Sequence, residues 1–311
     1  MFSYTIIIPH KNCPDLLKRC VDSIPVRDDV QIIVVDDNSD EDKKPSIERK
    51  GMEVVLLDAS SSKGAGRARN VGLKHAKGKW LLFADADDYY TDNLSKFLDK
   101  YADDDTTDIV YLNASVFNEI GESAPHSVSK LIEGCRNNLP NAELRLRYSV
   151  WTPWTRMVKR EMVDANHITF DELPATNDKM FSLYCSYHAR TIAVESDVLY
   201  MYFKPTKGSQ TDKKRNHLML DGLLDVRVRT LELYKKVGYK PLPSFYELVY
   251  HPHFSAGFQK KELDRKYKQC LEKVNISRFQ DLCRYYRKKL RNLSATISGL
   301  LSKTQKWQGD S

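Results

Sequence analysis

No apolar run in this 311-residue chain approaches the roughly 20 residues that a membrane-spanning helix needs, so no span is expected. Its six cysteines, Cys13, Cys20, Cys135, Cys185, Cys270 and Cys283, form no C-x-x-C pair and no Cys/His metal spacing. Reduced thiols are the simplest account. Met1 to Pro9 lacks a basic stretch and runs straight into a strand pattern, which argues against a cleaved signal peptide. Two glycine patterns for phosphates are also missing. No Lys-Ser or Lys-Thr follows Gly64 and Gly66, as a Walker loop needs, and Arg69 stands where a dinucleotide fingerprint has its third glycine. The chain has no internal repeat, and it is expected to be soluble or peripheral.

With 41% apolar and 29% charged residues, the composition is that of a globular protein with a real core. The net charge of +7 is unevenly spread. Residues 213–311 hold 22 Lys and Arg against 9 Asp and Glu, whereas residues 1–212 hold 27 against 33. The expected organisation is an acidic domain over 1–212, which carries the carboxylate clusters, and a basic, mainly helical extension over 213–311.

Apolar periodicity alternates along the first half. Strands are expected at Thr5 to Pro9, Ile32 to Val35, Met52 to Leu57, from Trp80 and at Ile109 to Leu112. Between them come a helix from Pro14 to Ile24, a charged helical stretch to Lys50, a loop from Ser60 feeding a helix through Ala76, and a helix capped at Thr91-Asp92 that runs to Tyr101. Farther on the pattern suggests a strand near Ser115 to Asn118, polar turns and a short helix opening at Asn141. A strand or turn at Trp154 to Val158, a helix from Arg160 to Ala165, a loop from Phe170 to Asp178 and a helix from Lys179 to His188 follow. Short strands at Ile192 to Val194 and Val198 to Tyr202 close this part. Repeated strand–helix–strand units imply right-handed crossovers and an α/β fold with a mostly parallel central sheet flanked by helices.

Two of these strands end in clusters of carboxylates, Gln31–Val35 in Asp36-Asp37 and Trp80–Ala84 in Asp85, Asp87 and Asp88. Open α/β sheets bind ligands beyond the carboxyl ends of their strands. Crowded carboxylates repel unless a cation neutralises them, and hard oxygen ligands without Cys or His suit Mg²⁺ or Mn²⁺. Solvated turns that cap the following helices are the plainer account. Lys63, Arg67 and Arg69 beside a helix start could form an anion site or a solvated surface. His217, His251 and His253 are weak candidates for a further ligand, and the last two lack the spacing to share one helical face.

Thr5-Ile-Ile-Ile-Pro9 with Asn12, Val34-Val-Asp36-Asp37-Asn-Ser39, Gly64 through Asn70, and Phe83-Ala-Asp85-Ala-Asp87-Asp88 occur in a set order. Trp154, Asn177-Asp178 with Phe181, and Ser209-Gln-Thr211 continue it. Over roughly residues 1–212 the chain resembles family 2 glycosyltransferases of the GT-A fold, an inverting group that uses nucleotide-diphosphate sugars. The resemblance implies that Pro9 to Asn12 line the nucleoside, Asp37 accepts a hydrogen bond from the base, and Asp85 meets the ribose or the water shell of the metal. It gives Asp87 to a divalent ion, Mn²⁺ or Mg²⁺, that bridges the phosphates, Arg69 to the nucleotide or to an ion pair with one of the carboxylates, and Asp88 to support of the cluster. Asp178 becomes the base that deprotonates the acceptor hydroxyl, with capping of the helix at Lys179 as the plainer role; a helix N-terminus would lower its pKa. Trp154 and Asn177 fall at the acceptor face, Trp154 as a stacking platform or as a core residue. The chain departs from the family at Asn177, where Glu is usual, and at His10-Lys11, where a small residue and Tyr are common; Lys11 is thereby offered to a phosphate or to the base carbonyl.

From Gln259 onward Lys and Arg interleave with apolar residues such as Leu282, Tyr285, Tyr286, Leu290 and Leu293, the spacing of an amphipathic helix. Three partners compete for it: water alone, with the apolar stripe packed inward; an anionic membrane; and, least favoured, nucleic acid. The resemblance favours a donor that is a UDP-sugar, an acceptor that is a glycan or lipid-linked, and a place in the cytoplasm or on the inner face of the cell membrane, in polysaccharide biosynthesis. A non-catalytic sugar-nucleotide or membrane-binding scaffold of the same fold is the alternative. A nucleotidyltransferase is disfavoured, because no Gly-rich, Arg-containing loop followed by Pro and Lys succeeds the first strand.

Overall fold

The computed structural model describes residues 2–204, 217–240, 242–255 and 257–290. The chain divides into two compact units, Met1–Lys213 and Lys214–Ser311.

The first unit is built on β1 (Tyr4–His10), whose Tyr4, Ile6, Ile7 and Ile8 are all fully buried. β-Branched residues suit such a strand, covered on both faces. Parallel to it lie β2 (Val30–Asp36) on one side and β4 (Trp80–Phe83) on the other, with β3 (Met52–Leu56) outside β2. The connections are α1 (Pro14–Asp22), with Pro at its first position and Leu17, Cys20 and Val21 buried, and α2 (Ala65–His75). Beyond β4 come β5 (Tyr89–Tyr90), α3 (Asn93–Tyr101), β6 (Ile109–Phe117), β7 (Ser123–Pro125), α4 (Ser127–Arg136) and α5 (Ala142–Ser149). Then follow β8 (Arg156–Lys159), α6 (Arg160–Ala165), α7 (Lys179–His188) and β9 (Ile192–Phe203). Among the described residues one nine-stranded sheet runs β3-β2-β1-β4-β8-β6-β9-β5, with β7 beside β6. β8 is antiparallel to both β4 and β6, so β4, β6 and β9 keep the direction of the first three strands. The α/β, mostly parallel sheet expected from the sequence is the one observed.

Four local expectations differ. The charged stretch before Lys50 forms only a short 3₁₀ turn, Glu41–Lys43, because Pro45 cannot continue a helix. Ser115 to Asn118 is no separate strand but the end of β6, and the two short strands from Ile192 are one, β9. The pairing of β6 with β9 slips between Tyr111–Val194 and Asn113–Val198, so residues 195–197 break the alternation. In place of polar turns, α4 buries Val128 and Ile132, with Leu131 and Cys135 packed beside them.

The second unit, described by itself, comprises α8 (His217–Lys236), α9 (Phe245–Val249), α10 (Pro252–Ser255), α11 (Lys260–Lys273) and a helix over 278–290, here α12. Leu231, Phe245 and Val249 are fully buried in it. So is Asp281, whose carboxylate accepts hydrogen bonds from Ser244 Oγ, Phe245 N–H, Tyr246 N–H and Tyr267 Oη at 2.8–3.0 Å. Such a set compensates the cost of burying a charge. No described helix is long and apolar enough to cross a membrane. All six cysteines are unpaired.

Candidate active site

The loops after β1 and β2 are fastened to each other. The buried His10 meets Asp36 Oδ1 through Nδ1 at 2.7 Å, and its Nε2 accepts from Cys13 N–H at 3.2 Å. With Nε2 accepting, Nδ1 is the donor. Asn12, at φ 56°, donates its N–H to Ser39 Oγ at 2.9 Å and accepts from Asp40 N–H at 2.8 Å. Asp37 is buried, and its carboxylate accepts the N–H groups of Lys63 and Gly64, both at 3.1 Å. At φ 85°, Gly64 occupies a conformation that side chains disfavour. Lys11, offered by the sequence to a phosphate or a base carbonyl, instead donates to the Asp37 backbone oxygen at 2.8 Å and to its carboxylate at 3.5 Å. Pro9 is half-buried at the end of β1.

Basic residues near the start of α2 are likewise engaged. Lys63 and Arg67 pair with Glu172 at 3.5 and 3.2 Å, so these two are not the open anion site considered above. The remaining one, Arg69, is 5% exposed and joins three segments. Its Nη2 donates to Asp85 Oδ1 at 2.5 Å, its Nη1 donates to Asn177 Oδ1 at 3.1 Å, and the guanidinium lies 5.4 Å from the Phe170 ring centre. The end of β4 and the loop ahead of α7 are thereby held at one rim. Gly66 permits this approach: a Cβ there would lie 2.0 Å from the Asp171 carbonyl oxygen and 2.9 Å from Asn177 Cβ. Gly66→Ala is expected to displace the 171–177 loop and cost about 1–3 kcal/mol, measurable as a lower unfolding temperature together with reduced turnover.

The cluster beyond β4 divides by environment. Asp88 is fully buried and accepts from Tyr200 Oη and Phe203 N–H, each at 2.7 Å. Burial, and then the neighbouring Asp85 and Asp87 charges, push its pKa up. Tyr200 Oη in turn accepts from Asp85 N–H at 2.9 Å. Asp87 is held through its backbone, where Arg19 Nη2 donates to its carbonyl oxygen at 2.6 Å. Its half-buried carboxylate has no partner side chain among the described residues, and burial together with the Asp85 charge raises its pKa. A carboxylate left unpaired beside another fits a hard cation, and Mg²⁺ commonly takes only one or two protein carboxylates along with substrate phosphates. Among the described residues no group of three or more His, Cys, Asp or Glu side chains forms a self-sufficient metal site. The side chains of His217 and His253 lie outside the described residues, as does Ser209-Gln-Thr211, and His251 belongs to the second unit.

Asp178 stands at the N-cap position of α7, yet its side chain makes no capping hydrogen bond. The plainer role is thus not realised through a side-chain hydrogen bond. Burial raises its pKa, Arg69 opposes that, and Asp85 adds to it. The net direction, set first by desolvation, is upward, the reverse of the lowering expected above. Trp154 is 3% exposed and stacks on Tyr200 and Tyr202, with ring centres 4.8 and 5.3 Å away, so of its two expected roles it takes the core one and offers no acceptor platform. Among the described residues the exposed indole is Trp151, at 40%. It lies under Lys179 Nζ, 4.0 Å from the ring centre, and its carbonyl oxygen accepts from Ser182 Oγ at 2.5 Å. Nothing in Trp151-Thr-Pro-Trp154 distinguishes the two rings, because exposure follows from packing onto β9. Tyr200 and Glu172 were missed for a similar reason: their partners are remote in the chain.

The model of a sequence family, Glycosyl transferase family 2, matches residues 5–165. The chain belongs to that family. The matched stretch contains every site residue named above as far as Trp154 and ends ahead of Asn177 and Asp178. Among relatives, the chain is 27% identical over 220 residues to the poly(ribitol-phosphate) β-N-acetylglucosaminyltransferase TarS of Staphylococcus aureus, covering 67% of this chain and 36% of that protein. To the poly(ribitol-phosphate) β-glucosyltransferase of Bacillus spizizenii it is 28% identical over 214 residues, covering 66% of this chain and 32% of the relative. The chain thus spans about a third of the length of these family members. A crystal structure of TarS residues 1–349 with UDP-GlcNAc superposes with a TM-score of 0.59 at 21% identity, over 88% of this chain and 72% of that one. The mannosyltransferase PcManGT of Pyrobaculum calidifontis, in complex with GDP-Man and Mn²⁺, gives 0.51 at 17% identity, over 96% and 80%. These likenesses establish the GT-A fold of the family for this chain.

Proposed function

We propose that residues 1–212 form an inverting glycosyltransferase that moves a sugar from a nucleotide-diphosphate sugar, most simply a UDP-sugar, to a hydroxyl of a glycan or lipid-linked acceptor. The observation that carries this reading is the Arg69 bridge, which brings Asp85 and the Asn177-Asp178 loop to one rim. Relatives named for transfer to poly(ribitol phosphate), and a structural neighbour that holds UDP-GlcNAc, support the donor class and surface-polymer biosynthesis. Six unpaired thiols favour a reducing compartment such as the cytoplasm.

In this reading Pro9, Asn12 and Asp37 shape the nucleoside pocket, and Asp87, with Asp85 beside it, would hold a divalent ion that offsets the diphosphate charge. Asp178 takes the proton of the acceptor hydroxyl as that oxygen bonds to the anomeric carbon. The bond from that carbon to the diphosphate breaks on the opposite side, so the configuration inverts. A raised pKa makes Asp178 a stronger base than an exposed carboxylate, and the Arg69 charge opposes that rise. Trp151, exposed beside the start of α7, replaces Trp154 as the acceptor-side aromatic, and Asn177 stays at that face.

Incubation with a panel of nucleotide sugars and Mn²⁺, followed by nucleotide release and by sugar incorporation into polyol-phosphate or lipid-linked acceptors, tests the proposal. Donor binding without release or transfer would favour the scaffold alternative. Arg69→Met is expected to move the acid limb of the kcat/KM profile to higher pH. The sign follows because activity needs ionised Asp178 and Arg69 is the largest influence that lowers its pKa. An unmoved limb would dissociate Arg69 from the base.

A further inference from the structure

The amphipathic helix read from the sequence has two apolar faces rather than one. Asp281 is its innermost residue, and Tyr285 packs inward with its ring 5.1 Å from that of Tyr246. On the opposite side Phe279, Tyr286 and Leu290 are 76%, 54% and 64% exposed. At positions i, i+7 and i+11 of a helix with about 3.6 residues per turn, these three fall within about 40° of one another, and Asp281 lies about 160° from Phe279. The three therefore share one outward face of α12. Arg287 flanks it on one side and Lys289 on the other, both exposed. Lys288 turns away to pair with Glu247 at 2.7 Å. Within 278–290 the only carboxylate is Asp281, which is spent on internal hydrogen bonds.

We propose that this face of α12 is a docking surface for an anionic lipid bilayer, with Phe279, Tyr286 and Leu290 entering the headgroup–acyl boundary and Arg287 and Lys289 meeting lipid phosphates. A large apolar stripe bordered on both sides by cations is the geometry of a helix lying in a membrane interface. Water alone explains the cations but not three large outward apolar side chains in line. Nucleic acid would use the cations and leave the stripe idle. Docking of α12 to a bilayer needs no sugar transfer.

Vesicle co-sedimentation of the full chain tests the surface, without any sugar donor. The chain is expected to pellet with vesicles of equal parts phosphatidylcholine and phosphatidylglycerol and to stay in solution with phosphatidylcholine alone. Each cation near an anionic surface is worth about fivefold in binding, so Arg287→Glu with Lys289→Glu should weaken vesicle affinity by about 25-fold or more. The triple variant Phe279→Ser, Tyr286→Ser, Leu290→Ser should do the same while keeping the circular dichroism and melting curve of the parent, since all three side chains are exposed. No pelleting with the anionic vesicles would overturn the proposal, as would undiminished pelleting of the triple variant. So would RNA binding that survives the triple substitution and competes fully with vesicles, or a self-association that the triple variant abolishes in a chain that ignores vesicles.

Discussion

Asparagine in place of Asp178 is expected to lower sugar transfer by about 10²–10⁴-fold while leaving affinity for the nucleotide sugar within a factor of a few. The substitution keeps the shape of the side chain and removes only its capacity to take a proton. No capping hydrogen bond is lost, because the side chain makes none, so the fold of α7 should not change. Single-turnover transfer measured beside calorimetric donor binding separates the two effects. Unimpaired transfer would assign the base elsewhere, and lost donor binding would make Asp178 a nucleotide contact.

Asp87→Ala should be nearly as severe, with transfer reduced about 10²–10³-fold and the response to added Mn²⁺ lost. A divalent ion stabilises the charge that develops on a leaving diphosphate by several kcal/mol, and that contribution disappears with its ligand. The variant should also fold at least as well as the parent, since the carboxylate is half-buried, unpaired among the described residues and crowded by Asp85. Loss of activity with a maintained or raised melting temperature is therefore the expected pair of results. An Asp87→Ala enzyme that transfers at the parental rate, or is still stimulated by Mn²⁺, would remove the metal role.

Much of the first unit was legible from local pattern. Apolar runs such as Thr5–Pro9 and Trp80–Phe83, the proline that opens α1 and the carboxylates after β2 and β4 act within a few residues, and each reads out as structure near its own position. What resisted reading depends on partners far along the chain. That Lys63 and Arg67 are taken by Glu172 is a contact across more than 100 residues. Trp154 is buried because β9 supplies Tyr200 and Tyr202 beneath it, while the identical side chain three positions earlier is not. The bulge in β9 and the two apolar faces of α12 both disturb a simple period, which splits one strand in two and merges two stripes into one.

β9 also sets the order in which the molecule can be completed as it leaves the ribosome. Asp88 lies between β4 and β5, yet both of its donors, Tyr200 and Phe203, come from β9, which also supplies the neighbour of β5 and the parallel partner of β6. A chain released after residue 165 would carry all of the family-matched stretch but leave a buried carboxylate without donors and a long strand edge open. Such a fragment is a poor candidate for independent expression, and aggregation during synthesis is the hazard until residue 203 has emerged.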